Sequence, residues 1–267
     1  MAIHPTAIID PSAKIDESVE IGPYSVIDSD VSIGAGTRIA NNVRLCRGVV
    51  LGSDCVIHSN AVIGDDPQFI GFDTSLKSGV IVGDRSVVRE NVTIHRSIYE
   101  GENTILGNEN YLMVGCHVAH DCELADNVVL TNEALLAGHV TVEKNVYIGG
   151  AAVFHQFVRV GEGSMTGGYS AITRDVAPFI MVSGRDEVNG LNLVGLKRRG
   201  ASRASIKELK ELFHSLFHRY GNIREQAAEE LENRGDSLSA EGKTFLEFFQ
   251  SGKRGFCGVD LKSKGDE

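Results

Sequence analysis

Five of the nine histidines in this chain, His95, His117, His120, His139 and His155, fall in its middle third. Imidazole is the side chain that most readily exchanges a proton near neutral pH. A single histidine is more often a satisfied packing residue. A converging group points instead to a metal site or to general acid–base chemistry, and spacing alone leaves both open. Further along, GLKRRG carries Arg198 and Arg199, whose guanidinium groups suit a bidentate grip on phosphate. A solvated helix start is the plainer reading of that run.

Whether the histidines meet depends on the elements that carry them, and these follow from an internal period. Branched aliphatics recur every six residues from Ile3 to Ile63 without a gap, again at Val82, Val88 and Ile94, and then from Leu106 to Val160. Small or β-branched residues sit four positions after most of these anchors, as at Ala13, Val19, Ser25 and Val31. A period of six fits neither a helix nor a long alternating strand, so each unit is a short strand plus a corner. Three units close a triangular coil of eighteen residues, and stacked coils pair in parallel. The fold class expected is a β-solenoid, a parallel β-helix. Gly22, Gly34, Gly52 and Gly64, directly after their anchors, are read as corners with unusual backbone angles.

The coil converts sequence spacing into position. Val118, Leu136 and Phe154 lie eighteen residues apart, which places His120, His139 and His155 in one column, roughly 5 Å per rung. His117 is expected at the corner before it. Cys116 and Cys122 fall on inward positions and read as core residues. The interval from Ile63 to Val82, nineteen residues, is one more than a coil of eighteen, so the register slips and the stretch at about 65–80 reads as a loop excursion rather than a regular coil. Beyond Pro178 the spacing turns helical. The domains expected are a β-helix over 1–178 and a helical part over 179–267, packed on the β-helix or on a neighbouring subunit, with a frayed last dozen residues.

Composition narrows the function. A net charge of -10 argues against general nucleic-acid binding. No apolar run is long enough to cross a bilayer, and the N-terminus lacks signal-peptide character, so a cytoplasmic location is expected. Five cysteines without zinc-type spacing fit reduced thiols.

The repeat resembles the left-handed β-helix acyltransferases, and the segments VTIHRS, HVAHDC, LAGHV, HQF and GLKRRG resemble the UDP-N-acetylglucosamine O-acyltransferases that begin lipid A biosynthesis. The resemblance implies a homotrimer with its sites in clefts between subunits. It implies transfer of a 3-hydroxyacyl group from acyl carrier protein to the glucosamine 3-position of the sugar nucleotide. No cofactor or metal is implied beyond the phosphopantetheine that carries the acyl donor. By the same resemblance His120 is the general base, Asp121 its orienting partner and Gly138 the backbone N–H donor to the oxyanion. His139 and His155 hold the sugar nucleotide and the pantetheine arm, His117 lies toward the diphosphate, and His95 lies across the cleft. Gln68, Gln156 and Asn192 are polar contacts, Arg198 and Arg199 meet phosphate or the carrier protein, and Gly168, being small, leaves room for a longer acyl chain.

One stretch departs from the family, which shows PQDLKY where this chain has PQFIGF. Phe69 and Gly71 replace an acidic residue and a lysine near the acceptor sugar. Two outcomes are open: an acceptor bearing an amine at the 3-position, or compensation by Asp73 or Lys77. The alternatives are a metal-dependent hydratase resembling the γ-carbonic anhydrases, the related N-acyltransferase, whose extra N-terminal domain finds no room before Ile3, and a non-catalytic scaffold.

Overall fold

The structure, a computed structural model, describes residues 2–259. Strands of two to five residues stack into three sheets of 11, 9 and 8 strands, and every third strand joins the same sheet. We call these the first, second and third sheets. Pairing is parallel in register: Val118 lies on Leu136, and Leu136 on Phe154. The aliphatic anchors point into the prism, where Leu45, Ile57, Ile63, Leu112, Leu130 and Leu136 are fully buried. The positions four residues on, among them Val43, Cys55, Cys116, Cys122 and Val140, are equally buried. Burial pushes the Cys116 thiol up to about 11 and that of Cys122 to about 12, and both remain core residues as expected.

Of the four glycines expected to turn corners, Gly64 alone has a positive φ, 86°; most corners are made differently. The left-handed residue is the third after the anchor, as at Tyr24, Asp30, Asn42, Asp121, His139 and Phe157, with φ between 55° and 66°. Gly22, Gly34 and Gly52, one position after the anchor, have no such angle; a Cβ there would lie 2.4–2.7 Å from atoms of the next rung. Close stacking between rungs, not backbone conformation, requires those three glycines.

Two segments leave the coil, both at the corner between the second and third sheets. Val82 pairs with Leu51, 31 residues earlier, thirteen more than the eighteen of a plain coil. The interval after Ile63 is therefore the expected loop excursion, an insertion of thirteen residues within one corner. Val82 also pairs with Leu106, 24 residues later, which reveals a second insertion of six residues that the sequence conceals. Ile94 and Leu106 differ by two periods of six, so the insertion looks like a rung lacking its anchor. Glu100 in the anchor position is the signal for it.

Past residue 178 the chain first adds two more strands, Ile180–Ser183 and Glu187–Leu191, to the first sheet. The second of these pairs antiparallel and ends the stack. The helices begin only at Leu193, later than expected: α1 (Leu193–Arg198), α2 (Arg203–Phe217), α3 (Ile223–Arg234) and α4 (Ala240–Glu247). Ser202, Asn222 and Ser239 cap α2, α3 and α4 by accepting backbone N–H bonds. Leu209, Leu212 and Leu216 form the buried stripe of α2.

Arg159 fastens this part to its own β-helix. It donates to the buried Asp175 at 2.9 Å, to Ser251 Oγ and to the Phe248 and Ser251 carbonyls. The end of the described chain is also held, since Phe256 and Gly258 bridge to Asp175 and Glu187. The expected fraying therefore does not extend to residues 256–259, and its remainder lies outside the described residues.

Candidate active site

The corner between the second and third sheets gathers most of the chemistry. In each rung, the second and third residues after the strand of the second sheet form the turn at one edge of the prism. His120, Gly138 and Gln156 occupy one column there, and Asp121, His139 and Phe157 the next. The column expected from spacing is thus two adjacent columns. His120 and His139 meet edge to face with ring centroids 5.1 Å apart. His155 sits in a third position, exposed, its Nδ1 near the Gln156 carbonyl, and makes no ring contact with the other histidines.

His117 is a strand residue rather than a corner residue. Its Nδ1 lies 2.7 Å from Thr93 Oγ1 and its ring packs on His95 at 4.8 Å. Because the six-residue insertion makes Thr93 and His117 rung neighbours, His95 belongs to this group within the same chain instead of lying across from it. His95 Nδ1 is buried without a hydrogen-bond partner.

At the centre, His120 Nδ1 and Asp121 Oδ2 are 2.8 Å apart. Asp121 Oδ1 accepts from Ser97 Oγ, Oδ2 lies 3.4 Å from the Ile98 N–H, and the Asp121 N–H donates to Thr104 Oγ1 at 2.8 Å. Burial would raise the Asp121 carboxyl, but the bonds from His120, Ser97 and Ile98 outweigh it and hold it below the ordinary value. His139 Nε2 lies 3.9 Å from the same Oδ2, and its ring stacks on Phe157 at 4.5 Å. Burial lowers His95 and His139, and it takes His117 down to about 4 with help from the neighbouring imidazoles. Those three rings are therefore neutral near pH 7.

Gly138 lies directly against the His120 ring: an added Cβ would stand 2.4 Å from Cε1 and 2.7 Å from Nε2. Its N–H donates to no group among the described residues. A cleft of about 350 Å³ opens here, lined by Gln68, His117, His120, Leu135, Gly138 and Gln156 among others. Leu135 and Val153, on the outer side of the second sheet, are 40% and 41% exposed and give the cleft an apolar floor.

The thirteen-residue insertion overhangs the cleft, with Phe69 edge-on to His120 at 6.4 Å. Arg96, buried, holds the insertion by donating to Asp66, to the Thr74 and Leu76 carbonyls and to Ser78 Oγ. Its guanidinium also lies 4.8 Å from the Phe72 ring centroid. Asp73 turns its carboxylate to Ser75. Lys77 lines a separate hollow with Arg47 and Asn103. Within this chain neither replaces the charges missing at Phe69 and Gly71. Arg96, Ser97 and Thr93 escaped the sequence reading, because only the hidden insertion brings them to this corner.

Four expected site residues lie on other edges. Asn192 is buried, caps α1 and donates to the Gly163 carbonyl at 3.0 Å. Arg199 lies over the backbone of Gly163 and 5.6 Å from Phe179, with Arg198 beside it at the end of α1. Gly163 marks the edge between the third and first sheets, whereas Gly168 stands at the edge between the first and second. His120, Asp121 and His139 bring three ligand atoms within 4.8 Å of one another, the spacing a metal would need. Both Asp121 oxygens, however, already accept hydrogen bonds, as suits a proton relay.

No described helix is long and apolar enough to cross a membrane. A family profile described as UDP N-acetylglucosamine O-acyltransferase, domain 2, matches residues 175–257, and one described as GMPPB C-terminal domain matches residues 3–110. A relative from Halorhodospira halophila, named acyl-[acyl-carrier-protein]–UDP-N-acetylglucosamine O-acyltransferase, is 42% identical over 95% of this chain and 98% of its own. One of the same name from Herminiimonas arsenicoxydans is 43% identical over the same shares. The UDP-N-acetylglucosamine acyltransferase structure from Campylobacter jejuni is 36% identical, with TM-score 0.89 over 97% of this chain and all of that one. These relatives give the metal-dependent hydratase no support. The coil is a left-handed parallel β-helix with a small helical C-terminal part, and the chain belongs to the family of acyl-carrier-protein-dependent UDP-N-acetylglucosamine O-acyltransferases.

Proposed function

We propose that this chain moves a 3-hydroxyacyl group from acyl carrier protein to the glucosamine 3-position of UDP-N-acetylglucosamine, or of its 3-amino analogue, as the first step of lipid A biosynthesis in the cytoplasm. The observation that carries the reading is the contact between His120 Nδ1 and Asp121 Oδ2 above Gly138. Asp121 holds the proton on Nδ1, which leaves Nε2 free to take the proton of the attacking group. The nucleophile adds to the thioester carbonyl. The Gly138 N–H stabilises the oxyanion. Collapse then expels the pantetheine thiolate, which recovers a proton from His120. No cofactor enters these steps beyond the phosphopantetheine of the donor.

Gln68 and Gln156 line the same cleft and supply polar contacts to the sugar. Neutral His117 and His139 donate or accept without adding charge. The apolar side of Leu135 and Val153 leads from His120 toward the edge where Gly168 stands, a path for the acyl chain that a small residue at 168 leaves open. Asn192, Arg198 and Arg199 reach this cleft only if a second copy presents its edge between the third and first sheets. A homotrimer, each copy completing the next, satisfies that requirement and brings the guanidinium groups to phosphate.

The test is release of carrier-protein thiol by purified enzyme with a 3-hydroxyacyl donor and either sugar nucleotide. Replacement of His120 by alanine should remove about 10² to 10⁴ of the rate with the fold intact. Full activity in that variant would end the reading. Preference for the hydroxyl acceptor would end its amine form.

A further inference from the structure

We propose that Ser97 is a positioning residue of the acyl transfer: by donating to Asp121 Oδ1, its buried hydroxyl fixes the carboxylate in the orientation that presents Oδ2 to His120 rather than to His139. The proposal rests on the acyl-transfer reading above, in which His120 is the base.

A carboxylate at this corner has two imidazoles to choose from. Oδ2 is 2.8 Å from His120 Nδ1 and 3.9 Å from His139 Nε2. A modest swing of the Asp121 side chain would exchange one partner for the other. The Asp121 backbone is pinned, with φ at 59° and its N–H on Thr104 Oγ1, so the freedom that remains lies in the side chain. Ser97 removes it. Its hydroxyl accepts from the Tyr99 N–H at 3.0 Å. The single hydroxyl proton is therefore left to point at Oδ1.

Ser97 is itself fully buried, and its carbonyl accepts from Ser78 Oγ at 2.6 Å. Ser78 in turn takes a bond from Arg96, the residue that holds the thirteen-residue insertion. The same short segment thus fixes both the carboxylate behind the base and the insertion in front of it.

The experiment is steady-state kinetics of thiol release for Ser97→Ala and Ser97→Thr, and for Ser97→Ala placed in an Asp121→Ala background, with His120→Ala as reference and thermal melts throughout. Ser97→Ala should lower kcat about tenfold, the worth of one hydrogen bond to a charged group, with KM for the sugar nucleotide within about twofold. Ser97→Thr, which keeps the hydroxyl, should restore most of kcat. In the Asp121→Ala background the serine change should cost less than about twofold, because its partner is gone.

Should Ser97→Ala not fold, Ser97→Gly removes the hydroxyl without added volume and takes its place in the cycle. Native kcat in the hydroxyl-free variant overturns the proposal, and so does an equal loss with and without Asp121. An active His120→Ala would instead overturn the acyl-transfer reading, so the two failures are distinguishable.

Discussion

Replacing Gly138 with alanine tests the geometry of the proposed base, His120, against the stability of the fold. The new Cβ would stand 2.4 Å from His120 Cε1, 2.7 Å from Nε2 and 3.0 Å from Nδ1. Ordinary carbon contact lies near 3.5 Å, so the ring must retreat by about 1 Å. It cannot do so freely, because Nδ1 is tied to Asp121 at 2.8 Å. The imidazole either tilts off its carboxylate or moves its Nε2 away from the attacking group. A displacement of that size costs on the order of a hundredfold in rate.

The backbone, by contrast, is indifferent. Gly138 does not occupy the left-handed region, so alanine fits its angles and restricts the unfolded chain. The melting temperature should fall only by what the displaced ring costs, about 1–3 kcal/mol, with no added backbone strain. The assay is thiol release read with a chromogenic thiol reagent, feasible because all five cysteines of the enzyme are buried, alongside a thermal melt. A variant that keeps kcat within about threefold while melting normally would show that the ring tolerates the displacement. The requirement that position 138 stay free of a side chain to seat the His120 ring would then be lost, while the N–H role, which alanine keeps, would stand.

Lowering the pH should destabilise the protein through the histidine cluster. His117 protonates at about 4 in the fold against an ordinary 6.5, so the unfolded chain takes up the proton first; the stabilisation is complete above 6.5 and is lost as pH falls toward 4. Melting temperature measured from pH 7 to 4.5 should fall, and His117→Gln should flatten that fall; parallel curves would contradict it. Arg96→Ala should release the insertion over residues 66–78, costing about 2–3 kcal/mol and exposing it to limited proteolysis, whereas an insertion that stays protease-resistant would show another anchor. Phe157→Ala removes the ring stacked on His139 and should raise KM for the acceptor by several-fold with little change in Tm, which acceptor titrations would detect.

The prism was legible in the sequence because its cause is local: an aliphatic every six residues has one compact solution, and those side chains are the core. The same period placed His120 beside His139 without any coordinates. It could not place His155, because imidazoles one, two and three residues past an anchor leave the corner in different directions. The insertion of six residues preserves the period, so Glu100 in an anchor position is the mark it leaves in the sequence. Hidden with the insertion were the neighbours of the histidine corner: Thr93 beneath His117, Ser97 behind Asp121 and Arg96 under the overhanging segment. The start of the helices was misplaced because Ile180–Ser183 and Glu187–Leu191 carry no six-residue mark. They belong to the stack by hydrogen bonding alone.

Both departures from the coil occur at one corner, on consecutive rungs, and the chain re-enters in register each time. Strands above and below each exit point fix where the backbone must come back, so the length spent outside is free of the repeat. The thirteen-residue overhang can thus be lengthened, shortened or rewritten while the rung two steps on, which carries His120 and Asp121, keeps its spacing. PQFIGF in place of a charged sequence is the kind of change such an edge permits.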